Sequence, residues 1–111
     1  MTMNYLAKIK NNKVLLSVLK EKSLKSKKEI CGFIYREKFI EKENIHPDPV
    51  NYFLISPKEC IWQDDCVLFH SHPAHIERAG FSEWDLENQY FFNMDMLLYS
   101  VNNDEFYHKE K

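Results

Sequence analysis

No apolar run in this chain approaches the ~20 residues that a helix needs to cross a bilayer, so no membrane-embedded role is expected. Met1 to Lys10 has no signal-peptide core, and the expectation is a cytoplasmic product or one exported by another route. Cysteine is sparse: Cys31, Cys60 and Cys66 are odd in number and form no Cys-x-x-Cys pair. That excludes a disulfide framework and leaves buried or free thiols in a reducing compartment. Arginine is scarcer still, two against thirteen lysines, a bias expected of an AT-rich coding genome. Internal repeats and low-complexity tracts are lacking as well.

The 111 residues are apolar to 44%, with eight Phe, six Tyr and two Trp, and charged to 29%. Such a composition builds a core in one domain, residues 1–111, and argues against wholesale disorder. The net charge of −2 hides an asymmetry. Residues 1–28 carry eight lysines and one acid, whereas the acids outnumber the bases in the remainder. The lysines read as the solvated face of an amphipathic helix. No aromatics interleave with them as single-strand binding requires, so no nucleic acid partner is expected.

Taken in order, Tyr5 to Ile9 reads as a short opening strand. Lys13 to Lys22 carries a helical stripe of Val14, Leu15, Val18 and Leu19, extended by Leu24 and capped by Asn11 or Asn12. Glu29 to Tyr35 is an apolar strand buried on both faces, with Gly32 marking a close backbone approach or a bulge. Lys38 to Ile40 returns as a more exposed strand. Glu43 to Val50, with Pro47 and Pro49, is a loop. Tyr52 to Ile55 reads as a further strand, and Pro57 to Asp64 as a short helix capped by Ser56. After the strand Val67 to His70, a loop over His75 to Gly80 leads to a helix from Ser82 to Asn93. Trp84, Leu86, Tyr90 and Phe91 are available for its buried side. Met94 to Val101 and Glu105 to His108 form a closing hairpin around Asn102–Asp104. The sum is an α/β (α+β) mixed sheet flanked by helices.

The chemistry concentrates in Val67-Leu68-Phe69-His70-Ser71-His72-Pro73 and in Ser82-Glu83-Trp84-Asp85. Side chains on a strand repeat every two residues, so His70 and His72 face one way at its end. Ser82 is placed to cap the next helix, with Asp85 at its third position. Two imidazoles and a carboxylate suit a zinc ion with a fourth position open to water. A lone His-x-His is also common on surfaces, and Ser-x-x-Asp is an ordinary helix start. A closed site using Cys66 with His70 is a further alternative.

Glu29, His70-Ser71-His72-Pro73 and Ser82-x-x-Asp85, in that order, resemble the signature of the JAMM/MPN (JAB) metalloproteases. The Glu-Ile-Cys-Gly-Phe-Ile strand is similar to that family's Glu-x-x-Gly opening. Tyr52 to Pro57 is similar to its phage and bacterial branch, and the likeness runs from about Ile9 to Ser100. The resemblance implies a minimal MPN/JAB-like, cytidine-deaminase-like fold. It implies Zn²⁺ on His70, His72 and Asp85, Glu29 as general base and acid, and Ser82 helping to bind the oxyanion. The His72-to-Asp85 interval is longer than the family's commonest spacing, the excess lying in Ala74 to Phe81. This leaves His75 as an alternative third ligand. Cys31 as a thiol nucleophile with His70 is a weaker option, since it lies inside an apolar strand.

The implied function is zinc-dependent hydrolysis of an amide or isopeptide bond, associated with phage tail assembly. The implied partners are a peptide, ubiquitin-like or tail-protein substrate, and other tail proteins or an NlpC-type hydrolase. The setting is the cytoplasm of a bacterial or infected cell, or the virion tail. The alternatives are a tail-tip or assembly module that retains the metal site, and a ubiquitin-like-protein deconjugase.

Overall fold

A computed structural model describes residues 5–111, and α-helices begin it where a strand was expected. Helix α1 (Tyr5–Lys10) buries Leu6 and Ile9, three residues apart and so on one helical face. On a strand the two would point to opposite faces, so helix is what buries them together. Helix α2 (Lys13–Leu24) follows, capped by Asn12, whose side chain accepts from the Leu15 N–H at 3.0 Å. Its buried stripe is Leu15, Leu19 and Ser23, while Val14 lies outside it, 77% exposed.

Five strands form one sheet: β1 (Cys31–Tyr35), β2 (Lys38–Lys42), β3 (Val67–His72), β4 (Asp95–Ser100) and β5 (Glu105–Lys109). Their spatial order is β2-β1-β3-β4-β5. β3 and β4 run parallel, with helix α3 (Glu83–Phe92) as their crossover; every other neighbouring pair is antiparallel. The described residues form a compact α+β domain with a mixed sheet and three helices. Among the described residues no helix is long and apolar enough to cross a membrane.

Alternation along the strands divides the core between the two faces of the sheet. Ile34, Val67, Phe69, Leu97 and Tyr99 pack against Leu6, Ile9, Leu15 and Leu19 of the first two helices. Phe33, Leu68 and Met96 join Phe53, Ile55, Phe92 and Met94 on the opposite face. His70 and His72 share the parity of Leu68, so they emerge on the α3 side.

Of two more expected elements, one is absent and the other is shortened. Tyr52–Ile55 is extended but joins no sheet. Phe53 and Ile55 are fully buried, and Asn44 serves the segment's backbone by accepting from the Leu54 N–H at 3.1 Å. Its alternation therefore records burial under the sheet without strand pairing. The helix expected over Pro57–Asp64 shrinks to a 3₁₀ turn, Pro57–Glu59, because Ser56 makes no side-chain cap.

Gly32 is a close approach, not a bulge. A Cβ there would lie 2.3 Å from the Ile40 carbonyl oxygen and 2.9 Å from Glu41 Cα, both backbone atoms of β2. Because β2 must shift to accept a methyl group, Gly32→Ala is expected to destabilise the protein by about 2–3 kcal/mol. Chemical denaturation would measure this as a lower midpoint at unchanged slope.

Candidate metal centre

The register of β1 on β3 builds the centre. Cys31 pairs with His70, and the antiparallel pairing extends one step further. There the Ser71 N–H donates to the Ile30 carbonyl, and the Ile30 N–H donates to Ser71 Oγ, both at 2.9 Å. One more residue brings Glu29 beside His72. The Glu29 backbone is also tied down, its N–H donating to the Pro49 carbonyl at 2.8 Å and its carbonyl accepting from Asn44 Nδ2 at 3.0 Å. Ser71, between the two histidines, thus fixes the stretch that carries the acid. Ser71→Ala would leave the buried Ile30 N–H without its side-chain acceptor, an expected cost of about 1–3 kcal/mol by thermal or chemical denaturation.

Asp85 arrives from the other side of the crossover. Ser82 caps α3 as expected, its Oγ accepting from the Asp85 N–H at 3.1 Å. Asp85 Oδ2 returns the contact by accepting from the Ser82 N–H at 2.9 Å, completing a capping box. The same oxygen lies 3.1 Å from both His70 Nε2 and His72 Nε2.

Pointing Asp85 inward sets the rotation of the whole helix. Asn88, Gln89 and Phe92, at i+3, i+4 and i+7, follow it inside. The expected buried face of Leu86, Tyr90 and Phe91 is turned outward instead, with Tyr90 90% exposed. Trp84 is half-buried, its indole N–H donating to the Phe53 carbonyl at 2.7 Å.

Glu29, His70, His72 and Asp85 each offer one ligating atom, and these atoms all lie within 4.8 Å of one another. All four residues are buried. Glu29 Oε1, both nitrogens of His70 and Nδ1 of His72 find no hydrogen-bond partner. Although His70 Nε2 is close to Asp85, it is not aligned for a hydrogen bond. Burying an unpaired polar atom costs about 1–3 kcal/mol, so this convergence calls for an occupant that binds lone pairs. Two imidazole nitrogens and two carboxylates are the donors that a divalent metal ion takes, and they fit one here.

The electrostatics agree. Burial, then the Asp85 charge, push the Glu29 carboxyl up to about 10, with the Arg78 guanidinium pulling weakly the other way. Burial also acts to raise Asp85, but the His70 and His72 imidazoles and the Ser82 N–H outweigh it and hold Asp85 well below the usual carboxylate range. Burial lowers His72, opposed by its hydrogen bond to Asp85. A cation at this point would favour the ionised form of Glu29.

The alternatives drawn from the sequence fare differently. His75 is exposed and bonded through Nε2 to Asn51 Oδ1 at 2.9 Å, so it does not reach the cluster. Cys66 does not join it either. All three cysteines are free, and burial pushes the Cys31 and Cys66 thiols up to about 12, which removes the thiolate that nucleophilic attack requires.

Sequence reasoning missed the surroundings of the centre. Phe53 stacks on His70 with ring centroids 4.5 Å apart and an interplanar angle of 22°. Asn44 serves five backbone groups of the loop that holds Glu29. A cavity of roughly 680 Å³ opens beside His72 and Ser82, walled by Tyr52, Arg78, Phe81 and Trp84. The signals for these residues are weak: an alternating apolar segment, one asparagine in a loop, and one of only two arginines. No protein-family model matches this chain, and comparison with curated protein sequences found no match.

Proposed function

We propose that this protein is a zinc-dependent metallopeptidase of the JAMM type, hydrolysing an amide or isopeptide bond. The observation that carries the reading is the meeting of Glu29 with His70, His72 and Asp85, from three separate parts of the chain, at one buried point beside an open cavity. His70, His72 and Asp85 would hold the ion. When bound, zinc supplies Lewis acidity, bringing the pKa of coordinated water toward ~7 and polarising a carbonyl.

The chain's own residues supply the rest. The Glu29 carboxylate accepts a proton from the attacking water as its oxygen bonds to the carbonyl carbon. It then delivers that proton to the nitrogen as the C–N bond breaks, leaving a carboxylic acid and an amine; the acid's remaining proton passes to the amine, giving a carboxylate and an ammonium ion. Ser82 Oγ spends an acceptor lone pair on the Asp85 N–H, which leaves its O–H to donate toward the carbonyl oxygen in the cavity it lines. Phe53 and Phe81 flank His70 and keep water from that side.

Within this reading, association with phage tail assembly rests on the motif resemblance, and a ubiquitin-like-protein deconjugase uses the same chemistry. The docking-module alternative draws on the outward aromatic stripe of α3, Tyr90 and Phe91, which supports an interaction surface. Elemental analysis of the purified protein, followed by an assay on lysine-linked isopeptides, tests the proposal. One equivalent of zinc and cleavage that disappears on chelation are expected. Protein without stoichiometric zinc would overturn it.

A further inference from the structure

The cavity beside the centre carries opposite charges on its walls. Arg78 contributes the cation and makes no ion pair or hydrogen bond with the other described residues. It shares the cavity lining with His72, and its charge acts weakly on both Glu29 and His72. Glu83 and Glu87, one turn apart on α3, contribute two carboxylates that are likewise unpaired. Glu83 at the first helical position favours the helix dipole, but Glu87 has no such use. The same cavity is lined by Tyr52 and Trp84, ring centroids 6.1 Å apart, with Trp84 next to Glu83 in the chain and anchored through its indole N–H. His72, 1% exposed and with Nδ1 unpartnered, closes the inner end.

We infer that this cavity binds the leaving side of the substrate as a zwitterion: a carboxylate on Arg78, and an ammonium group between the Glu83–Glu87 pair and the Tyr52 and Trp84 rings. Arginine offers a forked donor matched to a carboxylate. Carboxylates beside aromatic faces hold an ammonium by charge and by cation–π attraction. A side-chain amide of a diamino acid whose α-amino and α-carboxyl groups are free presents both groups on the leaving side of a hydrolysable amide. The cavity, roughly 680 Å³, lies within the ~300–1,000 Å³ of small-molecule sites. The inference rests on the hydrolase reading for the position of the amide, but its binding test is independent of turnover.

The probes are Nε-acetyl-L-lysine, its α-carboxamide and its Nα-acetyl derivative, titrated calorimetrically into zinc-supplemented Glu29→Gln protein. The zwitterion is expected to bind at least tenfold more tightly than either derivative. Arg78→Gln should erase the difference from the carboxamide alone. The double change Glu83→Gln and Glu87→Gln should erase the difference from the Nα-acetyl compound alone. Equal binding of the three probes, or none at millimolar concentration, overturns the inference. Retained carboxylate discrimination in Arg78→Gln does so too. Zwitterion binding by a wild type that cleaves no isopeptide would leave the inference standing and overturn the hydrolase reading. Cleavage indifferent to the free α-groups would do the reverse.

Discussion

Glu29→Gln is expected to lower amide hydrolysis by about 10²–10⁴-fold while the protein keeps its zinc and its fold. Glutamine fills the same buried volume, and the three residues assigned to the ion are untouched. What it loses is the capacity to accept a proton from water and return it to the leaving nitrogen. Steady-state kinetics and elemental analysis of both proteins check the two halves separately. Loss of activity together with loss of zinc would make Glu29 a ligand instead of a proton carrier. Unchanged hydrolysis would remove it from the reaction.

The same substitution has a stability signature in chelated protein. Burial and Asp85 raise the Glu29 carboxyl from an ordinary 4.5 to about 10 in the folded chain. Between those limits the folded state binds the proton and the unfolded state releases it, so stability is lost as pH rises through this window. His72, lowered by burial, acts in the opposite sense around its ordinary 6.5. The difference between wild type and Glu29→Gln isolates the carboxyl. The metal-free wild type should lose more melting temperature between pH 5 and pH 9 than the variant does. Parallel curves would mean that Glu29 is not held protonated in the fold.

How much of this was legible in the sequence depends on which force fixed each feature. Where local chemistry decides, reading succeeded: Ser82 and Asp85 form the capping box, Asn12 caps α2, and the period of two sets His70 and His72 on one face. Glu29 could be tied to the histidines only through the family resemblance, since forty-one residues separate Ile30 from its partner Ser71. The misreadings share a cause in tertiary packing. Tyr5–Ile9 is too short for periodicity to separate helix from strand, and contact with the sheet chose helix. Tyr52–Ile55 has strand alternation, but it lies under the sheet beside His70 and not at an edge. On α3, Leu86, Tyr90 and Phe91 face out and Phe92 alone of the apolar residues is fully buried, because Asp85 must face in. A candidate metal ligand there overrode hydrophobic phase, a conflict between local pattern and final structure of the kind expected at sites.

Chelation is expected to give the largest change in stability, because the unpaired groups of the centre are charged to the fold whenever no cation is bound. A ligand that binds only the folded state adds RT ln(1 + [L]/Kd), about 4 kcal/mol when free ion exceeds its Kd a thousandfold. For a domain of this size that corresponds to a fall of roughly 15–25 °C in Tm on stripping zinc. Calorimetry of zinc-loaded and chelated protein measures it. His70→Ala provides the control, since the residue has no protein hydrogen bond to lose through either ring nitrogen. Its substitution removes a ligand, the Phe53 stacking contact and buried volume, so the variant should melt at or below the chelated wild type and gain little from added zinc. Were the wild type to melt at one temperature with and without the ion, the four side chains would be supporting one another unaided. The metal would then have no part in this protein.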